Sequence, residues 1–207
     1  MSINQTEWIF LDGEWKRWQD ATVHVTTHAL HYGSAAFEGI RAYETETGPA
    51  IFRLGDHVRR LLQSCKVLRM PMAEYDQKRL EQVCVESIGR NDLRSGYIRP
   101  LVFRGAAGLG LNPLPAPVQV CVFAVEWGRY LGAEAIEQGV DAIVSSWRRF
   151  NAGTAVPLGK ISGQYVTSQF VSLEARENGF GEGIMLDERG MVCEGAGENL
   201  FVVFGDT

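Results

Sequence analysis

The sequence lacks several features that would set it apart from ordinary globular proteins. Its most apolar stretch, residues 118–125, is far too short to cross a bilayer. The first seven residues are polar, which is not the pattern of a secretory signal. No basic tract occurs and the net charge is −5, so nucleic acid is not an expected partner. The 4 cysteines lie far apart without a Cys-x-x-Cys pair, which predicts reduced, mostly buried thiols in a cytoplasmic protein.

The 207 residues suffice for one large or two small domains, and their patterns change from strand-like to helical in blocks. Asp12-Gly13 predicts a hairpin turn, and a second turn is expected at Gly48-Pro49. Asp56 is the expected N-cap of a helix, and another helix ends near residues 89–92. We therefore expect an α+β (mixed α/β) fold with an N-terminal domain over 1–127, an interdomain loop over 128–137 and a second domain beginning at 138 and running to 207. Further expected elements are strands at 97–103, 118–125 and 140–147, a helix at 162–178, and a hairpin of 183–186 with 199–204.

Two clusters allow more than one interpretation. His24, His28 and His31 have a spacing that could bind zinc, but no carboxylate or cysteine completes the set and no helix is indicated there. Hydrogen-bonded structural histidines are the preferred interpretation, and no metal site is expected. The glycines at 105, 108 and 110 do not have the dinucleotide spacing and are followed by prolines, which predicts a flexible or substrate-covering loop.

Three charged residues are candidates for chemistry. Lys160 lies in a Pro/Gly-flanked loop before the predicted helix, where it is either a solvated surface residue or an amine kept neutral by the helix terminus for imine formation. Glu194 is either a turn residue or a fixed counter-ion whose small neighbours admit a planar ligand. Arg60, beside Arg59, is either half of a solvated pair or a bidentate phosphate contact.

These residues together resemble the class IV aminotransferases, and most closely their branched-chain amino acid members. Each motif is weak alone, but the ordered series covers essentially the whole chain. It comprises HALHYG at 28–33, FEGIR at 37–41, Arg60-Leu61, YIRPL at 97–101, Trp127-Gly128, YLG at 130–132, Lys160 with Tyr165, and EGAGENLF at 194–201.

The resemblance implies a two-domain, fold type IV enzyme that uses pyridoxal 5′-phosphate. It implies that Lys160 forms the Schiff base and shuttles the proton, Glu194 pairs with the pyridine nitrogen, Tyr165 hydrogen-bonds the phenolic oxygen, and Arg60 binds the phosphate. It further implies that Arg99 and Tyr32 accept the distal carboxylate of glutamate. The remaining implied substrate contacts are Phe37, Gly39, Tyr97, Trp127 and Tyr130, with Leu109, Leu111 and Tyr32 coming from the neighbouring subunit of a homodimer or a dimer-based homo-oligomer.

The implied activity is reversible transfer of the amino group of L-leucine, L-isoleucine or L-valine to 2-oxoglutarate. An aromatic, apolar pocket with one arginine at its edge accepts both a branched alkyl group and a carboxylate. The sequence departs from the family in the lysine context, LGKISGQY at 158–165, and in length. Family members continue for about a further third of the chain, so the second domain is expected to be incomplete. The alternatives are a D-amino acid transaminase, an (R)-amine transaminase, an aminodeoxychorismate lyase, or a non-catalytic fragment.

Overall fold

The computed structural model describes residues 4–126 and 137–205, which divide into two compact units. The first unit comprises Met1–Gly128 and Leu158–Gly163, and the second comprises Arg129–Pro157 and Gln164–Thr207. The segment Leu158–Gly163, which the sequence assigned to the second domain, therefore packs with the first unit. The expected interdomain loop lies almost wholly outside the described residues, and the proposed boundary stays a prediction.

The first unit is a seven-stranded antiparallel sheet with two helices packed on it. Along the sheet the order is β2-β1-β7-β6-β4-β5, and β3 also pairs with β6. The strands are β1 (Trp8–Leu11), β2 (Glu14–Arg17), β3 (Ala35–Phe37), β4 (Ile40–Thr45), β5 (Gly48–Ile51), β6 (Gly96–Arg104) and β7 (Val118–Val125). The helices are α1 (His28–Tyr32), α2 (Leu54–Val67) and α3 (Gln77–Arg90), and a 3₁₀ turn spans Trp18–Asp20.

The core lies between one face of this sheet and the helices α2 and α3. Val58, Leu61 and Cys65 recur at helical spacing on α2 and are fully buried. On β6 the fully buried Ile98 and Val102 point towards this core. Because side chains alternate along a strand, Tyr97 and Arg99 lie on the opposite face of β6.

An interruption of one strand shapes the candidate site. Strands β3 and β4 run along the same side of β6 but are separated by Glu38 and Gly39. The break lies beside Pro100, which has no N–H to donate to a ladder, while the Glu38 N–H donates to the Pro100 carbonyl at 2.9 Å. The interruption frees Glu38 from the regular pleat, and its side chain is fully buried.

The second unit is a small sheet with one helix. Strands β8 (Ala142–Arg148) and β9 (Glu182–Leu186) are parallel, and β10 (Val192–Gly195) is antiparallel to β9. A 3₁₀ turn at Ser162–Gln164 leads into α4 (Tyr165–Glu177), which connects β8 to β9 as parallel strands require. Its core contains Val171, Met185 and Ala196.

The structure corrects four sequence-based expectations. Gly48 and Pro49 belong to β5 rather than to the turn, which Pro49 can do because β5 is an edge strand. Asp56 lies in the first turn of α2, whose N-cap is Arg53. A five-residue helix, α1, contains His28 and His31 where no helix was expected. Residues 199–204 are not in a strand, and the partner of β9 is β10.

The described helices include none with the length and apolar composition needed to cross a membrane.

Candidate active site

Lys160 is held by its backbone against the first unit. Its carbonyl accepts the Phe37 N–H at 3.1 Å, and its N–H donates to the Ser64 hydroxyl at 3.0 Å. The next residue, Ile161, forms a bridge with Ala36 of β3. The Lys160 Nζ then lies 5.1 Å from the centre of the Phe37 ring. The backbone of the lysine is therefore fixed by hydrogen bonds, and its Nζ lies beside an aromatic ring.

Arg60 is anchored by the buried carboxylate of Glu38. The Arg60 Nε donates to Glu38 Oε1 at 2.5 Å and a terminal nitrogen donates to Oε2 at 2.6 Å, while His57 Nδ1 lies 2.9 Å from Oε2. Burial raises the pKa of Glu38, but the hydrogen bonds from Arg60 and His57 outweigh it and hold the pKa below its ordinary value. The Arg60 side chain is 47% exposed, so this pairing orients the guanidinium without burying it.

Arg99 lies between two aromatic rings. Its guanidinium carbon is 4.5 Å from the Phe37 ring centre and 5.1 Å from that of Tyr97, and a terminal nitrogen donates to the Tyr97 hydroxyl at 2.7 Å. Its Nε is buried and has no hydrogen-bond partner among the described residues. A buried donor without a partner is costly, so this guanidinium is suited to accept an anionic ligand.

Gly39 allows Tyr97 to take this position. A Cβ at residue 39 would lie 2.1 Å from the Tyr97 hydroxyl oxygen, so any larger residue would displace the ring. The two residues approach too closely for a side chain between them, so glycine at position 39 is what permits this placement of the Tyr97 ring.

Tyr32 and the loop residue Leu109 are in direct contact. The Tyr32 hydroxyl donates to the Leu109 carbonyl at 2.6 Å. Tyr32, Leu109 and Leu111 are respectively 43%, 66% and 76% exposed, so all three present apolar surface to the outside of this chain. Trp127 and Tyr130, also expected to line the pocket, lie outside the described residues.

In the second unit, Glu194 lies on β10 and forms an ion pair with Arg149 Nε. The Glu194 and Arg149 side chains are 28% and 19% exposed, so the pair is largely buried. The neighbouring Gly195 is buried, and a Cβ there would lie 2.7 Å from a Glu198 carboxylate oxygen. Tyr165 is the first residue of α4.

Glu198, in the second unit, has a strongly raised pKa. Burial, with the nearby carboxylate of Glu182, raises its pKa to about 7, although the Gly197 N–H donates to it at 3.1 Å. Its other carboxylate oxygen is buried without a hydrogen-bond partner among the described residues. Glu198 is therefore a carboxyl group that takes up a proton near neutral pH.

The three clustered histidines are engaged in local hydrogen bonds. His28 Nδ1 lies 2.7 Å from the Ser34 hydroxyl, His31 Nε2 lies 2.9 Å from the Val25 carbonyl, and His24 Nδ1 lies 2.8 Å from the Thr26 hydroxyl. Within residues 4–126 and 137–205 no group of three His, Cys, Asp or Glu side chains could hold a metal ion.

Sequence reasoning missed three residues that bind the candidate residues within their own units. Glu38 was identified only as part of a motif, Ser64 was not noticed, and Arg149 was not connected with Glu194. Each acts through a partner distant in sequence, so no local pattern marks it. The one available signal was Ser64 itself, a polar residue on the apolar stripe of α2, one helical turn after Arg60.

Comparison with known proteins shows the class to which this fold and site belong. The model of the family "Amino-transferase class IV" matches residues 35–207, and the chain belongs to this family. The branched-chain-amino-acid aminotransferase of Salmonella typhimurium is 48% identical over 204 residues, which cover 98% of this chain and 66% of that protein. The protein of that name from Escherichia coli K12 is also 48% identical, over 205 residues.

Solved structures give the same result. The branched-chain amino acid aminotransferase of E. coli matches with a TM-score of 0.90 and 46% identity, over 93% of this chain and 64% of that one. The T.th. branched-chain amino acid aminotransferase complexed with N-(5′-phosphopyridoxyl)-L-glutamate matches with a TM-score of 0.90 and 46% identity, over 96% of this chain and 64% of that one. The two-domain, class IV fold expected from the sequence is confirmed. The chain spans somewhat less than two thirds of the length of these relatives.

Proposed function

We propose that this chain carries a pyridoxal 5′-phosphate site and catalyses the reversible transfer of the amino group of L-leucine, L-isoleucine or L-valine to 2-oxoglutarate. The observation that carries the proposal is that Lys160 and Arg99 both lie beside the ring of Phe37. The Nε of Arg99 is buried and lacks a partner among the described residues. An amine and an anion-binding guanidinium thus border the same aromatic ring. Amino transfer to 2-oxoglutarate uses an amine to form the imine and a cation to hold the distal carboxylate.

The residues present fit the cofactor. Lys160 supplies the amine for its carbonyl, Arg60 an oriented, half-exposed guanidinium for its phosphate, and Glu194 a carboxylate for its pyridine nitrogen. Tyr165 is proposed to hydrogen-bond its phenolic oxygen. When bound, the cofactor supplies a conjugated ring that withdraws electrons from the substrate α-carbon. The chain itself positions the amino acid, and Lys160 moves the proton at that carbon.

Substrate selection is proposed to rest on the surroundings of Arg99. The Phe37 and Tyr97 rings form an apolar wall suited to a branched alkyl group, while the guanidinium between them pairs with the distal carboxylate of glutamate. Trp127 and Tyr130 are proposed to complete the apolar wall. Gly39 leaves the space in which Tyr97 orients the substrate.

We also propose that the working form is a homodimer or an assembly of dimers. The exposed Tyr32, Leu109 and Leu111 support this proposal, because their apolar surface would reach the site of a second copy. Light scattering measures the number of chains per particle for the purified protein and for a variant that carries Leu109→Ser and Leu111→Ser.

A cytoplasmic location is proposed because none of the four cysteines forms a disulfide.

Two measurements test the proposed function: the intact mass of the protein after borohydride reduction, and its reaction rates with different substrates. The purified protein is incubated with pyridoxal phosphate and reduced with borohydride, and we expect one cofactor attached at Lys160. Lys160→Ala should abolish both the attachment and amino transfer. Attachment to another lysine in that variant would contradict the assignment. Rates with L-leucine, D-alanine and a chiral primary amine then distinguish branched-chain transfer from other reactions of the family.

A further inference from the structure

Ser64 uses both hydrogen-bonding capacities of its hydroxyl group to connect Lys160 with helix α2. The side chain is 1% exposed. Its Oγ donates to the carbonyl of Arg60 at 3.0 Å and accepts the Lys160 N–H at 3.0 Å. A serine hydroxyl has one proton to donate, so the donor is committed to α2 and the lone pairs face Lys160.

The connection completes a clamp around the Lys160 backbone. On one side the Lys160 carbonyl accepts the N–H of Phe37, and on the other its N–H is held by Ser64. Fixing both peptide groups fixes the direction of the Cα–Cβ bond, and with it the region that Nζ can reach. The hydroxyl therefore acts on the lysine side chain through the backbone.

The same hydroxyl also fixes a distance within the proposed site. Arg60 and Ser64 are one turn apart on α2, and Arg60 is itself held by Glu38. A ring that carries both a carbonyl and a phosphate group is rigid, so it needs its amine and its guanidinium at a set separation. The Ser64–Lys160 hydrogen bond ties the amine to the helix that bears the guanidinium.

We propose that Ser64 is a positioning residue that sets Lys160 at the correct distance from Arg60. The inference rests on the proposed function and adds to it the group that fixes the imine-forming lysine. Ser64 touches neither substrate nor cofactor in this proposal. Its loss should therefore slow attachment at Lys160 without removing the lysine or the arginine.

A matched control exists on the neighbouring helix. Ser87 of α3 is fully buried, and its hydroxyl donates to the Cys84 carbonyl at 2.7 Å, a contact that lies within α3. Ser87→Ala thus reproduces the loss of a buried helical hydroxyl. Ser64→Thr keeps the hydroxyl at the same carbon and serves as the conservative variant.

Two measurements on the purified protein test the proposal. Hydrogen exchange of the Lys160 amide, without cofactor, reports the hydrogen bond directly, and an ordinary buried hydrogen bond corresponds to about a fivefold change in an equilibrium constant. The time course of borohydride-trapped pyridoxal phosphate on Lys160, followed by peptide mass mapping, reports the positioning. We expect Ser64→Ala to speed the exchange about fivefold or more and to slow trapping at least as much. Ser87→Ala and Ser64→Thr should stay close to the unmodified protein in both.

The outcomes separate this inference from the proposed function. If the unmodified protein traps cofactor at Lys160 and Ser64→Ala behaves like Ser87→Ala in both measurements, the role of Ser64 is refuted while the proposed function stands. Faster amide exchange with unchanged trapping would also overturn it, because the hydrogen bond would then be structural only. If the unmodified protein traps no cofactor at Lys160, the proposed function fails and the positioning role with it, whatever the exchange rates show.

Discussion

Replacing Glu38 with glutamine should destabilise the first unit strongly and change its response to acid. The Glu38 side chain is wholly buried, and its carboxylate is held by two hydrogen bonds from Arg60 and one from His57. Breaking a buried ion pair costs about 3–5 kcal/mol. Because the Arg60 side chain is 47% exposed and can regain water, we expect a smaller loss, about 2–3 kcal/mol, at neutral pH.

The pH dependence follows from the lowered pKa of Glu38 in the folded chain. A carboxylate of this kind contributes stability that is present above its ordinary pKa of 4.5 and is lost as pH falls through the lower folded value. The gap in the free energy of unfolding between the original protein and Glu38→Gln should therefore narrow below about pH 4.5. Urea unfolding of both proteins at neutral pH and in acid measures the gap.

Asp56 provides the control for burial. It also accepts hydrogen bonds from two arginines, Arg53 at 2.6 Å and Arg59 at 2.7 Å, but its side chain is 44% exposed. Water screens such a pair, so Asp56→Asn should cost only a small fraction of the Glu38→Gln effect. Equal losses in the two variants, or a gap that does not narrow in acid, would refute the argument that burial makes the Glu38 cluster strong.

Three further predictions concern other parts of the molecule. Glu198→Gln should stabilise the protein in alkaline solution, because burial raises the Glu198 pKa from 4.5 to about 7 and stability is lost as pH rises through that interval. The whole pKa shift corresponds to about 3 kcal/mol in the free energy of unfolding, and partial exposure of the side chain reduces this to about 1–2 kcal/mol. Thermal melts at about pH 5 and 8 should show the added stability of Glu198→Gln only at the higher pH. Gly39→Ala should lower kcat/KM for every amino donor about tenfold or more, since its Cβ would lie 2.1 Å from the Tyr97 hydroxyl oxygen. Gly89→Ala, where a Cβ meets nothing within 4 Å, is its control, and a similar loss there would exclude the steric explanation. Arg99→Ala should cost on the order of 2 kcal/mol in kcat/KM for L-glutamate and far less for L-leucine; equal losses in steady-state assays would assign Arg99 a structural role.

Local sequence rules determined the elements whose geometry depends on adjacent residues. The first hairpin follows from Asp12-Gly13, whose φ angles of 52° and 94° are those that its turn demands. Strands β6 and β7 lie within a residue of their predicted positions, because alternating apolar side chains have one stable arrangement on a half-covered sheet. The ordered motifs also pointed to the class IV family, which the comparison confirmed.

The geometry of the turn after β9 decided which segment pairs with that strand. The apolar residues 200–204 looked like the partner strand, but β10 begins only two residues after Gly190. The Asp187 carboxylate accepts the N–H groups of Arg189 and Met191, each at 2.9 Å, and closes the turn at once. A short closed turn commits the residues immediately after it to pairing, whatever the apolarity of the later segment.

Tertiary structure alone decided the partners within the candidate site. The sequence pointed to Lys160, Arg60 and Glu194 as candidates but not to Ser64, Glu38 or Arg149, which bind them. It also assigned Leu158–Gly163 to the second domain, whereas backbone pairing with β3 and the Ser64 hydroxyl places that segment with the first unit. Periodicity and turn residues act over a few positions along the chain. A buried donor or charge instead requires a partner wherever the fold supplies one, here from residues 22 to 96 positions away.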